Sequence, residues 1–393
     1  MQIAGIIAEY DPFHNGHAAH IAATRAGGAT HIVAVMSGSF TQRGEPSALS
    51  KWDRTRMALA GGADLVLELP LPCAIASAET FAAGGVAILR ALGCVDTLSF
   101  GSECGDTEAL SSLAAADSIP EYRDALHAAL DTGASYAAAR QAAADAVFGE
   151  ERAALLAQPN NTLGIEYIRA AKRQNAAFSF FTLPRVGAAH GDTPEGNIAS
   201  AGWLREQMRL GDTPVTPYVP QSVADVLDQA VAAGRAPGDP CRLHTALLAR
   251  LRTMTPDEIG LLPYLSEGLE NRLAHAIATA DSYDALMEAL QTRRYPAARL
   301  RRLLWAALLG MTADTPTAPP YIRILGMNER GREILSAARP ALPLLSKATQ
   351  IRDLSVTAQE VFALECRASD LHALTMPKPL PCGTDFTTKC ITT

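Results

Sequence analysis

Nowhere in the sequence do two cysteines stand at a Cys-x-x-Cys spacing, and no apolar run reaches the roughly 18 residues that a membrane span requires. The seven cysteines, Cys73, Cys94, Cys104, Cys241, Cys366, Cys382 and Cys390, are scattered. A compact zinc cage is thereby disfavoured, and free thiols in a reducing compartment are expected. Basic charge is also short: 34 Lys and Arg stand against 41 Asp and Glu, a net charge of −7. Global attraction to a polyanion is therefore absent, and a nucleic-acid partner would need a local basic patch. The opening MQIAGIIAEY lacks the basic stretch and small-residue cleavage site of a secretion signal, so a cytoplasmic protein is expected.

What is present has the composition of a globular chain, 48% apolar over 393 residues, enough for two or three domains. QIAGIIAEY, THIVAVMSG, DLVLELP, TLSFGSE and FSFFTLPR are near-continuous apolar runs, as in parallel strands covered by helices on both faces. Between them HAAHIAATRAG, LSKWDRTRMALAGG and SAETFAAGGVAILRALG have helical spacing and glycine stops. This alternation predicts an α/β fold, a doubly wound parallel sheet of Rossmann type, over residues 1–210. Residues 107–150 read as an Ala-rich helical insertion, and a mainly helical region follows over 211–376 behind the Pro-rich GDTPVTPYVP. PPYIRILGMNERGREIL is a candidate further strand and helix, and residues 377–393 are expected to be a weakly ordered tail.

Chemistry concentrates in EYDPFHNGHAAH, residues 9–20, directly after the first strand. Doubly wound sheets bind ligands beyond their strand C-termini, which is where this segment falls. His14, His17 and His20 recur every third residue, with Asn15-Gly16 between the first pair. A shared metal is disfavoured, because His14 precedes the helix start behind Pro12-Phe13 and nothing fixes Glu9 or Asp11 as further ligands. No metal ligand is assigned. A phosphate cradle explains more of the residues. Gly16 lets a polyphosphate approach the backbone at a helix start, where free N–H groups and the helix dipole favour an anion. Imidazoles on either side can donate to phosphate oxygens as charge builds in a transition state. Histidines decorating a surface turn are the plain alternative.

This loop resembles the HxGH signature of the nucleotidylyltransferase superfamily. A second signature there, approximately I-S-S-T-x-I-R at a helix start, is similar to IASAGWLR at 198–205; Ser200 and Arg205 match, and Gly202 stands in place of threonine. Over most of its length the chain resembles the bacterial tRNA(Met) cytidine acetate ligases. That family opens with a strand and E-Y-N-P-F-H-N-G-H-x-x-H, from which only Asp11 departs here. Further similar blocks are VMSGSFTQRGEPS (35–47), KWDRTRMALAGGADLVLELP (51–70), FGSE (100–103), PNNTLGIEYIRA (159–170), PRVGAAHGD (184–192), SEGLENRL (266–273), RRYPAARLRRLL (293–304) and ASDLHAL (368–374).

The resemblance implies an ATP-dependent ligase that activates acetate as acetyl-adenylate, releasing pyrophosphate. The acetyl group then passes to N4 of the wobble cytidine of elongator tRNA(Met), giving N4-acetylcytidine. ATP is expected with Mg²⁺ bridging its phosphates. The ATP-contacting positions it implies are Ile7, Ala8, Glu9, Tyr10, Asp11, Pro12, Phe13, His14, Asn15, Gly16, His17, Ala18, Ala19 and His20, with Gly101, Asn160, Arg185, Ser200 and Arg205. His14, His17 and Lys51 are the expected catalytic residues. Gly101 also fits a tight turn, Asn160 a helix cap and Arg185 a surface charge; His190 receives no role because the local pattern departs from the family's.

Lys51 and Arg54 stand near a helix start, where cations are unfavourable, so phosphate or tRNA contacts are expected of them. Arg43 could meet either ligand. Arg293, Arg294, Arg299, Arg301 and Arg302 crowd around Tyr295 and are the expected tRNA-binding face, the alternative being a solvated helix face. Two other functions fit part of the pattern: adenylyl transfer to a small phosphorylated metabolite, or RNA binding without catalysis.

Overall fold

The computed structural model describes residues 1–185, 194–266, 268–292 and 294–393. The five apolar runs form β1 (Ile3–Ala8), β2 (His31–Ser37), β3 (Leu65–Leu69), β4 (Thr97–Ser102) and β5 (Ser179–Pro184), paired in parallel in the order β5-β4-β1-β2-β3. Their side chains alternate between two apolar layers. Val33, Val35, Leu65 and Leu67 pack with Phe81, Val86, Leu89, Ile165 and Ile168 of the helices Ala78–Leu92 and Pro159–Arg173. Ile32, Ala34, Met36 and Val66 pack on the other face with Ile21, Trp52, Met57, Val223 and Leu227. Burial on both faces is why β1, β2 and β3 carry no polar alternation, whereas the edge strand β5 is half-buried along its middle and exposed at both ends.

The sheet does not end where the first domain was expected to end, near residue 210. β6 (Ile322–Met327) pairs antiparallel with β3, and β7 (Leu344–Leu345) and β8 (Ile391–Thr392) pair parallel with β6. The helix Gln221–Ala232 covers the face shared with Trp52. The helices His244–Thr253, Leu269–Thr279, Tyr283–Leu290 and Ala297–Leu309 have a core of their own, including Leu247, Leu273, Leu286, Leu300 and Leu304. Residues 107–150 contain the helices Thr107–Ala114, Pro120–Asp131 and Tyr136–Phe148.

The expectation of a weakly ordered tail at 377–393 is corrected. The tail holds a short helix, Thr384–Thr387, and β8, and Asp385 is 2% exposed. Its Oδ1 lies 2.6 Å from Lys51 Nζ and 2.8 Å from Arg323 Nη1. The segment is poor in apolar residues but supplies a buried counter-charge, which hydrophobic patterning does not register.

The order of strands reverses direction at β1, which lies between β2 and β4. The crevice beyond the C-termini of β1 and β4 is thus the topological switch point of the sheet.

Candidate active site

β1 gives way to a turn in which Tyr10 takes a left-handed backbone, φ 49°, uncommon for a residue with a side chain. Tyr10 and Phe13 are buried, and their rings form a floor beneath His17, with centroids 4.8 and 5.4 Å from it. Asp11 fixes the turn from the side: its carboxylate accepts the Ala48 N–H at 2.9 and 3.1 Å.

His14 caps the helix Asn15–Ala26. Its Nδ1 accepts the Gly16 N–H at 3.1 Å, while its own N–H donates to Nδ1 of His17 at 3.2 Å. The two rings stack with centroids 3.7 Å apart. Gly16 is required sterically, since a Cβ there would lie 2.9 Å from Cε1 of His14. Burial, followed by the charges of Arg185 and Arg205, pulls His14 down to about 3; burial and then His14 and Arg185 hold His17 well below its ordinary value. Both imidazoles are therefore neutral at pH 7. Because each Nδ1 accepts a backbone N–H, each carries its proton on Nε2 and has that donor left to offer.

His20 differs. Its Nε2 lies 2.8 Å from Ser99 Oγ, which in turn meets Thr24 Oγ1 at 2.7 Å, so the helix is tied to β4. Burial and Arg185 lower His20 to about 4.

Beyond β4, the Glu103 carboxylate accepts the backbone and side-chain N–H groups of Asn160, and Asn160 Oδ1 accepts from Arg185 Nη1 at 2.7 Å. A Cβ on Gly101 would meet only the stem of Arg185 at 3.4 Å and the Leu183 carbonyl at 3.9 Å, both ordinary contacts. From a third direction, Arg205 Nη1 donates to the Asp11 carbonyl at 2.6 Å, and Asn15 Nδ2 donates to the Asn197 carbonyl at 2.8 Å. Ser200 caps the helix Ala201–Leu210 by accepting the Trp203 N–H. Residues 9–20, 99–103, 160, 185 and 197–205 thus converge on one crevice whose donors are neutral and cationic, its carboxylates Glu9, Asp11 and Glu103 being taken up by backbone N–H groups. Such a set suits a polyanion. Among the described residues, no group of three or more His, Cys, Asp or Glu side chains is placed to hold a metal ion.

The chain matches the family model described as HIGH Nucleotidyl Transferase over residues 1–383. A tRNA(Met) cytidine acetate ligase of Acetivibrio thermocellus is 37% identical over 413 residues, covering 100% of both chains. One of Syntrophotalea carbinolica is 41% identical over 367 residues, 89% of this chain and 86% of its own. The chain belongs to the tRNA(Met) cytidine acetate ligase family. Crystal structures of Thermotoga maritima TmcAL agree in fold: the apo form has a TM-score of 0.95 at 33% identity, covering 100% of this chain and 99% of that one. The form bound with alpha-thio ATP has a TM-score of 0.93 at 31% identity, again over 100% and 99%.

Within this family fold, several expected ligand contacts turn out to be internal. Lys51, expected at the phosphates, is 1% exposed, with Nζ 2.6 Å from both Glu68 Oε1 and Asp385 Oδ1. Burial and Arg323 push its pKa down, but Asp385 and Glu68 outweigh them and the net shift is upward. It is a structural ammonium that neutralises two buried carboxylates. Arg54, expected at tRNA, is fully buried and donates to the carbonyls of Leu49, Glu9, Ser37 and Gly38, pinning the ends of β1 and β2. Both corrections have one reason: a cation near a helix start is stabilised here by acceptors from distant segments, not by a ligand.

The arginines of the helix Ala297–Leu309 are likewise engaged inside the protein. Arg299 donates to the Tyr264 carbonyl at 3.0 and 2.7 Å and to Ser266 Oγ at 2.6 Å. Arg301 lies 3.2 Å from Glu45 Oε1 and donates to the Arg43 carbonyl, and Arg302 donates to that of Gln42. Three of the expected tRNA contacts therefore clamp the 42–45 turn and the 264–266 segment, and Tyr295 is buried against Arg299. Arg294 is exposed, and Arg43 is half-buried with its charge near Glu9 and Arg205. Arg293 and His190 lie outside the described residues. Glu103 was missed by sequence reasoning, although its place at the end of the FGSE block, next to Gly101, was an available signal.

Proposed function

We propose that the crevice binds ATP with its triphosphate over the His14–His17 turn and activates acetate as acetyl-adenylate. One carboxylate oxygen of acetate attacks the α-phosphorus, the bond to the bridging oxygen of the β-phosphate breaks, and pyrophosphate leaves. N4 of the wobble cytidine of elongator tRNA(Met) then attacks the acyl carbon, the acyl–phosphate C–O bond breaks to release AMP, an N4 proton passes to solvent, and N4-acetylcytidine forms. Acetate is ionised at neutral pH, so the first step needs placement and charge neutralisation more than a base.

The observation that carries this reading is the pair of stacked neutral imidazoles, whose Nδ1 atoms are both occupied by backbone N–H groups. Their remaining Nε2–H donors cost no reorganisation when charge develops on the phosphates. Arg185 and Arg205 add fixed positive charge beside them. Mg²⁺ would arrive with the nucleotide and supply charge neutralisation at its phosphates, since no cluster of three or more His, Cys, Asp or Glu side chains among the described residues is placed to hold it. Further support comes from the ligase relatives and from the alpha-thio ATP bound by the Thermotoga protein.

The test is incubation with labelled ATP and acetate, then with tRNA. Acetyl-adenylate and pyrophosphate are expected first, and acetylated cytidine in tRNA(Met) second. Nucleotidyl transfer to a phosphorylated metabolite without acetyl-adenylate would overturn the proposal.

A further inference from the structure

We infer that Glu103 is a positioning residue for the nucleotide site, setting through the Asn160 amide where the Arg185 guanidinium stands. The inference rests on the ATP-binding reading of that crevice. Glu103 leaves β4 opposite the first turn of the helix Pro159–Arg173. Its Oε1 accepts the Asn160 backbone N–H at 3.1 Å and Asn160 Nδ2 at 2.6 Å, and its Oε2 accepts the Asn161 N–H at 2.7 Å. Asn161, fully buried, reciprocates: its Oδ1 accepts the N–H groups of Glu103 and Cys104 at 2.9 and 3.1 Å. A carboxylate at a helix start is also favoured by the dipole.

Capping alone would need only the backbone contacts. The side-chain contact adds directionality. An ionised carboxylate only accepts hydrogen bonds, whereas an amide has one donating and one accepting end. Glu103 therefore draws the Asn160 NH₂ toward itself and leaves Oδ1 facing Arg185 Nη1, 2.7 Å away. With the amide turned over, two donors would face each other and Arg185 would lose its anchor. Arg185 is the residue whose charge reaches His14, His17 and His20 together. Glu103 acts one step removed from the phosphates, at the residue that fixes this arginine.

The readout is ATP–pyrophosphate exchange with acetate, with thermal midpoints recorded for every protein. Glu103→Gln leaves one acceptor where the N–H groups of Asn160 and Asn161 had two, and its NH₂ must face one of them; KM for ATP is expected to rise about tenfold, the scale of one hydrogen bond to a charged group, with a smaller change in kcat. Asn160→Asp alone sets two carboxylates against each other and should lose a similar amount. Combined, the two substitutions put an amide donor opposite the new carboxylate but set it against the residue-160 backbone N–H that Oε1 also accepted, so KM is expected to recover in part, falling several-fold below that of Asn160→Asp alone, on the order of one hydrogen bond. In an Arg185→Ala background, Glu103→Gln should change KM by less than about twofold, because the relay has lost its end point.

Full additivity in that background, or no recovery in the doubly substituted protein at a wild-type melting temperature, overturns the inference. Should Glu103→Gln fail to fold, Asn160→Leu severs the relay while keeping both backbone bonds to Glu103, and an unchanged KM there also overturns it. An Arg185→Ala protein with wild-type KM for ATP overturns the nucleotide-site reading, and the inference falls with it. A raised KM in Arg185→Ala with no effect of Glu103→Gln overturns the inference alone.

Discussion

The imidazoles of His14 and His17 lie one on the other, 25° from parallel, linked because the N–H of the first residue donates to the ring of the second. The pair behaves as a unit: His14 needs the helix start to orient its ring, and His17 needs His14 to fix its tautomer. His17→Ala removes one Nε2–H donor and the acceptor that holds His14. Acetyl-adenylate formation is expected to fall by at least about 10²-fold, the scale of losing one transition-state donor. Single-turnover pyrophosphate release measures it, and an unchanged rate removes His17 from the chemistry.

Acid should destabilise the protein before it protonates these rings. His14, His20 and His372 are lowered from 6.5 to about 3, 4 and 4, chiefly by burial. The unfolded chain therefore binds protons that the folded chain refuses. Their contribution to stability is complete above pH 6.5 and is lost as pH falls from there toward the folded values, at about 1.4 kcal/mol per pH unit for each group. Urea midpoints measured from pH 7.5 downward should fall steeply below about 6.5. His372→Asn, at a ring whose Nε2 lies 2.8 Å from the Ser47 carbonyl, should flatten that slope.

Asp385 and Lys51 make a second prediction about stability. Deleting the chain from Cys382 onward removes Asp385 and leaves Lys51 and Arg323 ion-paired to Glu68, with the nearby Glu365 pushed toward its neutral form by burial and by Glu68, so that one buried cation loses its counter-charge. A loss of about 3–5 kcal/mol is expected, the range seen when one partner of a buried pair is removed. Asp385→Ala should lose a comparable amount. Thermal melts check this, and a tail deletion that melts like wild type would contradict the network.

Arg301 offers a test on the RNA side. Its guanidinium is taken up by Glu45 and the Arg43 carbonyl. Arg301→Ala should leave the salt dependence of tRNA binding unchanged, whereas losing a true phosphate contact would reduce the slope of log K against log salt by about 0.7–0.9. Binding titrations across a range of salt distinguish the two outcomes.

The parallel strands were legible in the sequence because burial on both faces leaves near-continuous apolar runs such as IVAVM, with LVLEL interrupted only by the ion-paired Glu68. The histidine turn was legible because glycine and imidazole side by side are unusual at a strand end. Lys51 and Arg54 were misplaced because local helix electrostatics see only neighbours in the chain, while Asp385 and the carbonyls of Glu9 and Gly38 come from elsewhere. Arg299, Arg301 and Arg302 were misread for the same reason: clustering in sequence says nothing of the Gln42, Arg43 and Tyr264 carbonyls that receive them. Patterns carried by periodicity survive without coordinates, and those carried by partners distant in the chain do not.

The antiparallel pairing of β6 on β3 has a consequence for biosynthesis. As the polypeptide emerges from the ribosome, β3 presents a naked hydrogen-bonding edge until residues 322–327 have been made. Lys51 waits longer still, for the carboxylate of Asp385, made 334 residues after it. Such late closure keeps an adhesive border exposed through much of elongation, so holdase chaperones should engage the nascent chain until β6 has emerged.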